Sequence, residues 1–141
     1  MQSMNKMSKF FYNPSVGMLL VRIATGYLFF THGLSKVNNL AMPMGMMVHF
    51  GFPAWVGVFI AWLEVIGGLA LVFGLLTRVF AVMFGIEMIV AIFLTGFAHG
   101  LGAHDMEIIL ALNSFAIAFM GSGKIRLMHI FENDIQNPEQ S

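Results

Sequence analysis

The sequence predicts an all-α integral membrane protein, built as an up-down bundle of four transmembrane helices. Hydrophobic residues make up 58% of the 141 residues, and the mean hydropathy is +0.82. Charged residues make up only 10%, whereas a soluble domain carries about 25%. The chain contains four apolar segments, and backbone groups in lipid must be paired within each segment. These observations favour membrane helices over a soluble domain or an open sheet.

The first apolar segment, residues 16–37, follows a polar N-terminal segment, residues 1–15. The motif Asn13-Pro14-Ser15 is a favourable helix start, because proline suits the first position of a helix. The apolar segment is longer than the core of a signal peptide, and Arg22 interrupts it. We therefore expect an uncleaved first span.

Three more spans are expected along the chain. Residues 38–53 are polar and contain Pro43 and Pro53, which indicates a loop that is partly a short interfacial helix. A tight turn is expected at Thr77-Arg78. The predicted spans cover residues 54–76, 79–98 and 106–120, and the four-helix domain as a whole covers residues 16–123.

The distribution of lysine and arginine predicts the orientation. Five basic residues fall on one side of an up-down bundle, namely Lys6, Lys9, Arg78, Lys124 and Arg126. Basic residues are enriched on the cytoplasmic side of membrane proteins. Both termini, including the polar tail 124–141, are therefore expected in the cytoplasm, and the histidine-bearing loops on the opposite side.

Titratable residues inside the predicted spans form two layers. The inner-to-middle layer holds Arg22, Glu64 and Glu87. The outer layer holds His32, Lys36, Asp105 and Glu107, beside His99 and His104 of the adjoining turn. A charge near the middle of a bilayer costs at least ~2.5–3.5 kcal/mol, so these groups need partners. We expect Arg22 to pair with Glu64 or Glu87, and Lys36 or His32 to meet Glu107.

The polar residues allow two interpretations. Arg22, Glu64 and Glu87 could form structural ion pairs that lock the helices together. The alternative is a ligand site, whose polar groups would come from five residues: Arg22, His32, Lys36, Glu64 and Glu107. In that case His32 is the expected proton-exchange group. Its flat apolar walls are expected from Phe29, Phe30 and Trp62.

Several kinds of chemistry are disfavoured. Cysteine is absent, which excludes disulfides and thiol nucleophiles within the chain. Basic and acidic residues number 7 each, which implies no nucleic-acid partner. The spacing of His99 and His104 matches no metal-binding motif, so no metal site is predicted. No nucleophile–base pair is evident, and no catalytic residue is assigned.

Three pieces of the chain resemble the DoxX-like membrane protein family. Arg22-x3-Gly26-x2-Phe29-x2-His32-Gly33-x2-Lys36 resembles the family's opening signature. Glu64-x2-Gly67-Gly68-x5-Gly74-x2-Thr77-Arg78 resembles its second helix and the following turn. Glu107 and the later Gly121-Ser122-Gly123 resemble its last helix, although Lys124-Ile125-Arg126 then departs from the family pattern. The resemblance covers about residues 16–124.

The resemblance implies a four-helix protein of the bacterial cytoplasmic (inner) membrane. The family takes its name from a small subunit associated with thiosulfate:quinone oxidoreduction. The predicted function is therefore an accessory subunit of a quinone-linked redox system that holds a small lipophilic ligand, with a quinone as the candidate. The expected partners are membrane lipid, a membrane or soluble redox protein, and a second copy of the chain.

Two alternatives remain open. The first is a non-catalytic scaffold or assembly factor whose buried ion pairs are structural, and the second is a small transporter. Similar four-helix redox proteins carry paired cysteines, which this chain lacks. Direct thiol–quinone exchange by this chain is therefore not expected.

Overall fold

The structure, a computed structural model, describes residues 13–96 and 104–123, and the predicted all-α class is confirmed there. Five helices follow one another along the chain: α1 Pro14–Asn38, α2 Ala41–His49, α3 Ala54–Phe73, α4 Thr77–Thr95 and α5 Asp105–Met120. The predictions for the N-terminal segment, the C-terminal tail and His99 lie outside the described residues.

Three of these helices are long and apolar enough to cross a membrane. They are α1 with 25 residues, α3 with 20 and α4 with 19. A helix needs about 20 residues to cross the hydrocarbon core of a bilayer. The fourth predicted span corresponds to α5, which has 16 residues. The protein is therefore a membrane protein with three clear candidate spans in its described part.

Helix α1 begins where the sequence predicts. The side chain of Asn13 accepts a hydrogen bond from the backbone N–H of Ser15 at 3.1 Å. Pro14 occupies the first turn, where its missing N–H costs no helical hydrogen bond. From this cap, α1 runs for 25 residues.

Small residues bring α1 and α3 into close contact. A Cβ atom added to Gly26 would lie 2.6 Å from the carbonyl oxygen of Gly68. One added to Gly33 would lie 2.6 Å from the backbone nitrogen of Val65. Helices in lipid associate through such close packing, because the hydrophobic effect does not drive them together there. The glycines therefore set the register between α1 and α3.

The segment between the first two spans is more ordered than a loop. Helix α2 occupies Ala41–His49, which supports the expectation of a short helix in this segment. The loop is limited to the few residues on either side of α2. At Gly57 of α3, an added Cβ atom would collide with the carbonyl group of Pro43. Helix α2 is therefore seated directly on the first turns of α3.

The turn between α3 and α4 lies earlier than predicted. Helix α3 ends at Phe73, and α4 already begins at Thr77, so the prediction of a turn at Thr77-Arg78 is wrong. Gly74 adopts a left-handed conformation, with φ of 78°. Glycine has no Cβ atom to oppose this conformation, which ends the helix there.

The interior contains an aromatic stack that joins α1 to α4. The rings of Phe29 and Phe84 are parallel within 5°, and their centroids are 3.8 Å apart. Both side chains are completely buried. Helix α5 packs on α4, where the ring of Phe115 lies against Gly85. The stack thus lies at the centre of the packed helices.

Candidate functional site

The central feature of the candidate site is an ion pair between α1 and α3. Nζ of Lys36 lies 2.7 Å from Oε1 of Glu64, and the two side chains are 22% and 2% exposed. Side chains of a helix lean toward its N-terminus, so Lys36 reaches back along α1 into the membrane. Glu64 lies directly opposite Gly33, one turn before Lys36. The ion pair therefore follows from the register that the glycines set.

Glu87 of α4 adds a second carboxyl group to this pair. Its carboxyl group lies within hydrogen-bonding reach of the carboxyl group of Glu64. Two ionised carboxylates have only acceptor atoms, so this contact is a hydrogen bond only when one of them holds a proton. When both are ionised, Oε2 of each is buried without a donor among the described residues. In the Lys36–Glu64–Glu87 cluster, one proton held between the two carboxyl groups would therefore make their contact a hydrogen bond.

A cavity of about 410 Å³ lies beside this cluster. Its lining comes from α2, α3 and α4, together with Lys36 at the end of α1. Lys36, Glu87 and Thr95 are the polar members of the lining, and the others are nonpolar. The hydroxyl of Thr95 already donates to the carbonyl oxygen of Ala91 at 2.8 Å. Lys36 and Glu87 therefore supply the polar groups that a ligand could contact in an otherwise apolar cavity.

Helix α2 forms part of the cavity wall, a role that was not predicted from the sequence. Pro43, Met46 and Met47 of α2 line one wall, followed by Phe50 just after the helix. The periodic pattern of α2 is weak, because it spans only 9 residues. The small residue Gly57 of α3, which contacts Pro43 of α2, was the signal in the sequence for the docking of α2 on α3. The size of the cavity is typical of small-molecule sites, which occupy about 300–1,000 Å³.

The predicted pairing of Arg22 with a glutamate is wrong in the described structure. Nη1 of Arg22 donates to the carbonyl oxygen of Ser122 at 2.5 Å, and Nη2 to that of Val72 at 3.4 Å. The antiparallel register explains the difference. Glu64 faces Gly33, which lies about 16 Å along α1 from Arg22 at 1.5 Å per residue. Arg22 instead lies level with the C-terminal ends of α3 and α5.

Arg22 acts there as a cap for α3 and as a link to the segment after α5. The last carbonyl groups of a helix lack internal partners and carry partial negative charge. The Arg22 side chain is 2% exposed and donates to the carbonyl oxygen of Val72 in the last turn of α3 and to that of Ser122, two residues beyond α5. It belongs to the packing at one end of the protein, away from the cavity.

Replacing Arg22 with methionine should destabilise the fold by roughly 1.5–3 kcal/mol, the typical contribution of a hydrogen bond to a charged group. The free energy of unfolding in mixed micelles would measure this loss. Ile23→Met is the matched control, because Ile23 is the next residue on α1 and is 40% exposed. Equal stability of the two variants would contradict the capping role.

The other predicted site residues lie apart from the cluster. His32 is exposed on α1. Glu107 is partly buried in the first turn of α5, where an acidic residue favours a helix N-terminus. In the part of the chain that the structure describes, Glu107 meets neither Lys36 nor His32, because Lys36 is held by Glu64. The ligand-binding roles of Arg22, His32 and Glu107 stay predictions, and the geometry brings together only Lys36 and Glu64 from the predicted set.

His104 has a local contact of its own. Its Nε2 lies 2.9 Å from the carbonyl oxygen of Gly96, so the start of α5 is linked to the end of α4. Within residues 13–96 and 104–123, no three His, Asp or Glu side chains come together as a metal site.

The aromatic walls differ from those predicted. Phe29 is buried in the stack with Phe84, and Trp62 is 47% exposed on α3. The aromatic rings of the cavity lining belong instead to Phe50, Phe52 and Phe59. The sequence placed Phe29 in the wall of a ligand site, but the residue pattern could not distinguish a packed interior from a cavity wall.

Comparisons with known proteins agree on one family. A family model described as DoxX matches residues 17–97. "Putative oxidoreductase CatD" of Bacillus subtilis is 36% identical over 108 residues, which cover 76% of this chain and 81% of that relative. "Inner membrane protein YqjF" of Escherichia coli is 36% identical over 90 residues, which cover 62% of this chain and 69% of that relative. No solved structure matches the chain.

Proposed function

The chain belongs to the DoxX family of membrane proteins, and from this premise we propose that it is an accessory subunit of a quinone-linked redox system. In this proposal a quinone-type lipophile occupies the cavity beside Lys36 and Glu87. A separate redox protein supplies the electron-transfer centre, because this chain has no cysteine to serve as a thiol centre. The relative named as an oxidoreductase supports a redox context.

The observation that carries the proposal is the cavity with its polar end. An apolar space of about 410 Å³ suits a lipophilic ligand, and one charged cluster suits its polar head. A ligand is also a natural partner for Glu87, which lines the cavity and whose Oε2 lacks a donor among the described residues. Buried unpaired polar atoms are costly, so they mark places where a further group is needed.

The proposal includes a membrane arrangement. Helix α5 serves as a fourth, shorter span and completes an up-down bundle with the three long helices. The protein lies in the bacterial inner membrane with both termini in the cytoplasm, which the lysine and arginine distribution supports. The relative named as an inner membrane protein is consistent with this location.

A scaffold or assembly role is the second candidate. The buried Arg22 favours it, because Arg22 fastens α1 to the ends of α3 and α5 without facing the cavity. A scaffold, however, needs no cavity beside Lys36. The two candidates therefore differ in whether a small molecule accompanies the protein.

Filling the cavity should remove the ligand. Ala91 lines the cavity on α4, so Ala91→Phe should lower the amount of quinone that copurifies from native membranes by about tenfold or more, corresponding to a loss of at least ~1.4 kcal/mol in binding. Extraction of the purified protein and mass spectrometry of the extract measure this amount.

Val82→Phe is the matched control on the same helix. Val82 is 42% exposed and does not line the cavity, so this variant should retain the ligand. Wild-type protein that copurifies with a stoichiometric protein partner and no quinone would refute the ligand-holding role and support the scaffold.

A further inference from the structure

We infer that the cavity selects a neutral lipophile whose head carries a hydroxyl donor, such as a hydroquinone or phenol, over an acceptor-only quinone head, and that Glu87 makes this selection. The inference rests on the proposed function, and it adds which chemical form of the ligand is bound. It concerns binding only, and Glu87 is its specificity-determining residue.

Two carboxyl oxygens of the cluster lack a hydrogen-bond donor. The ammonium group of Lys36 donates one hydrogen bond to Oε1 of Glu64 at 2.7 Å. Within the cluster, Oε2 of Glu64 and Oε2 of Glu87 are left without a donor among the described residues. A carboxyl oxygen needs a donor, and a hydroxyl group supplies one. A quinone head has carbonyl acceptors only, so it would leave these oxygens unpaired.

Charge also favours a neutral head. The cluster sets one ammonium group, that of Lys36, beside the carboxyl groups of Glu64 and Glu87. A neutral head adds no net charge to the apolar cavity beside it. An anionic head would face two carboxyl groups, and the ammonium group of Lys36 is already paired with Glu64, which is unfavourable at low dielectric. Fatty acids are therefore poor ligands in this account.

The position of Glu87 in the lining makes it the group that a ligand head contacts. Glu87 and Lys36 line the cavity, whereas Glu64 is 2% exposed and connects the two. A ligand hydroxyl at the polar end of the cavity meets Glu87 before it meets Glu64. The apolar wall formed by α2 and α4, including Met46 and Leu94, then surrounds the tail.

The test compares four probes on full-length protein in nanodiscs under anaerobic conditions. Decylubiquinol, decylubiquinone, 4-decylphenol and decanoate differ in their heads, and their alkyl tails have ten carbons, or nine in decanoate. Wild-type protein should bind decylubiquinol and 4-decylphenol at least about tenfold more tightly than decylubiquinone, the discrimination expected for one buried hydrogen bond. Decanoate should bind most weakly.

Two substitutions distinguish selection from general packing. Glu87→Gln supplies an amide donor of its own, so it should bind decylubiquinone more tightly and lose most of the discrimination. Asp105→Asn, at an exposed position of α5 outside the cavity lining, should leave the discrimination unchanged. A merely structural Glu87 would weaken all probes by the same factor and leave their ratio unaltered.

The outcomes separate this inference from the proposed function. Equal binding of both redox forms, or an unchanged ratio in Glu87→Gln, overturns the inference and leaves a quinone-binding protein. If 4-decylphenol binds in a Glu87-dependent manner and neither decylubiquinol nor decylubiquinone binds, the inference stands and the quinone-linked function is overturned. Tightest binding of decanoate, or no binding of any probe, overturns the inference outright.

Discussion

Replacing Lys36 with methionine should lower the free energy of unfolding by about 3–5 kcal/mol, because the buried Glu64 loses its charged partner. The ion pair is 2.7 Å long, and only 2% of the Glu64 side chain is exposed. Methionine retains most of the apolar stem of lysine, so the loss reports mainly the charge. Unfolding of the purified protein by SDS in mixed micelles, followed by circular dichroism, measures the change.

A second substitution should reverse most of this loss. In Lys36→Met with Glu64→Gln both charges are gone, and replacing a whole buried ion pair is often nearly neutral in stability. A double-mutant cycle of the two sites should therefore show strong coupling. The control His32→Ala alters an exposed residue one turn earlier on α1 and should leave stability unchanged. Additive losses in the double variant would contradict a direct Lys36–Glu64 ion pair.

Replacing Gly68 with leucine should prevent α1 from packing on α3 and should remove folded protein from the membrane fraction. Even a single Cβ atom at Gly68 would lie 2.6 Å from the backbone nitrogen of Phe30 and 2.7 Å from the carbonyl oxygen of Gly26. Backbone atoms cannot move aside as the end of a flexible side chain can. Extra methylene groups in a packed interior cost about 1–3 kcal/mol of stability. A leucine side chain adds several carbon atoms at this contact, so we expect a larger loss.

Gly17→Leu is the matched control for this prediction. A Cβ atom at Gly17 would meet no atom within 4 Å, so the same substitution on α1 has open space. The control should therefore fold and accumulate like the wild type, which detergent extraction followed by size-exclusion chromatography would measure. Normal accumulation of Gly68→Leu would show that α1 and α3 are not held in this register.

The helical class and the helix start at Asn13 were predictable, because both depend on local signals. Apolar segments of sufficient length must pair their own backbone groups in lipid, and this requirement leaves helices as the solution. The cap at Asn13 depends on neighbours within two residues. The end of α3 depends on Gly74, which also lies in the sequence, although its left-handed conformation was not anticipated.

Which charged groups meet was not predictable by depth alone. Depth along separate helices placed Arg22 with the glutamates and Lys36 with Glu107. The structure instead joins Lys36 to Glu64 and places Arg22 at backbone carbonyl groups. A long side chain reaches several ångströms along its helix, so a depth count from Cα positions misplaces its charge.

The residue pattern alone therefore established a DoxX-like membrane protein with polar groups inside it. Tertiary packing decided the rest, because contacts between helices depend on register and rotation as well as on composition. The fit of Gly26 and Gly33 against α3 brought Glu64 to Lys36. The docking of α2 onto α3 then created the cavity at the polar end where Glu87 lies.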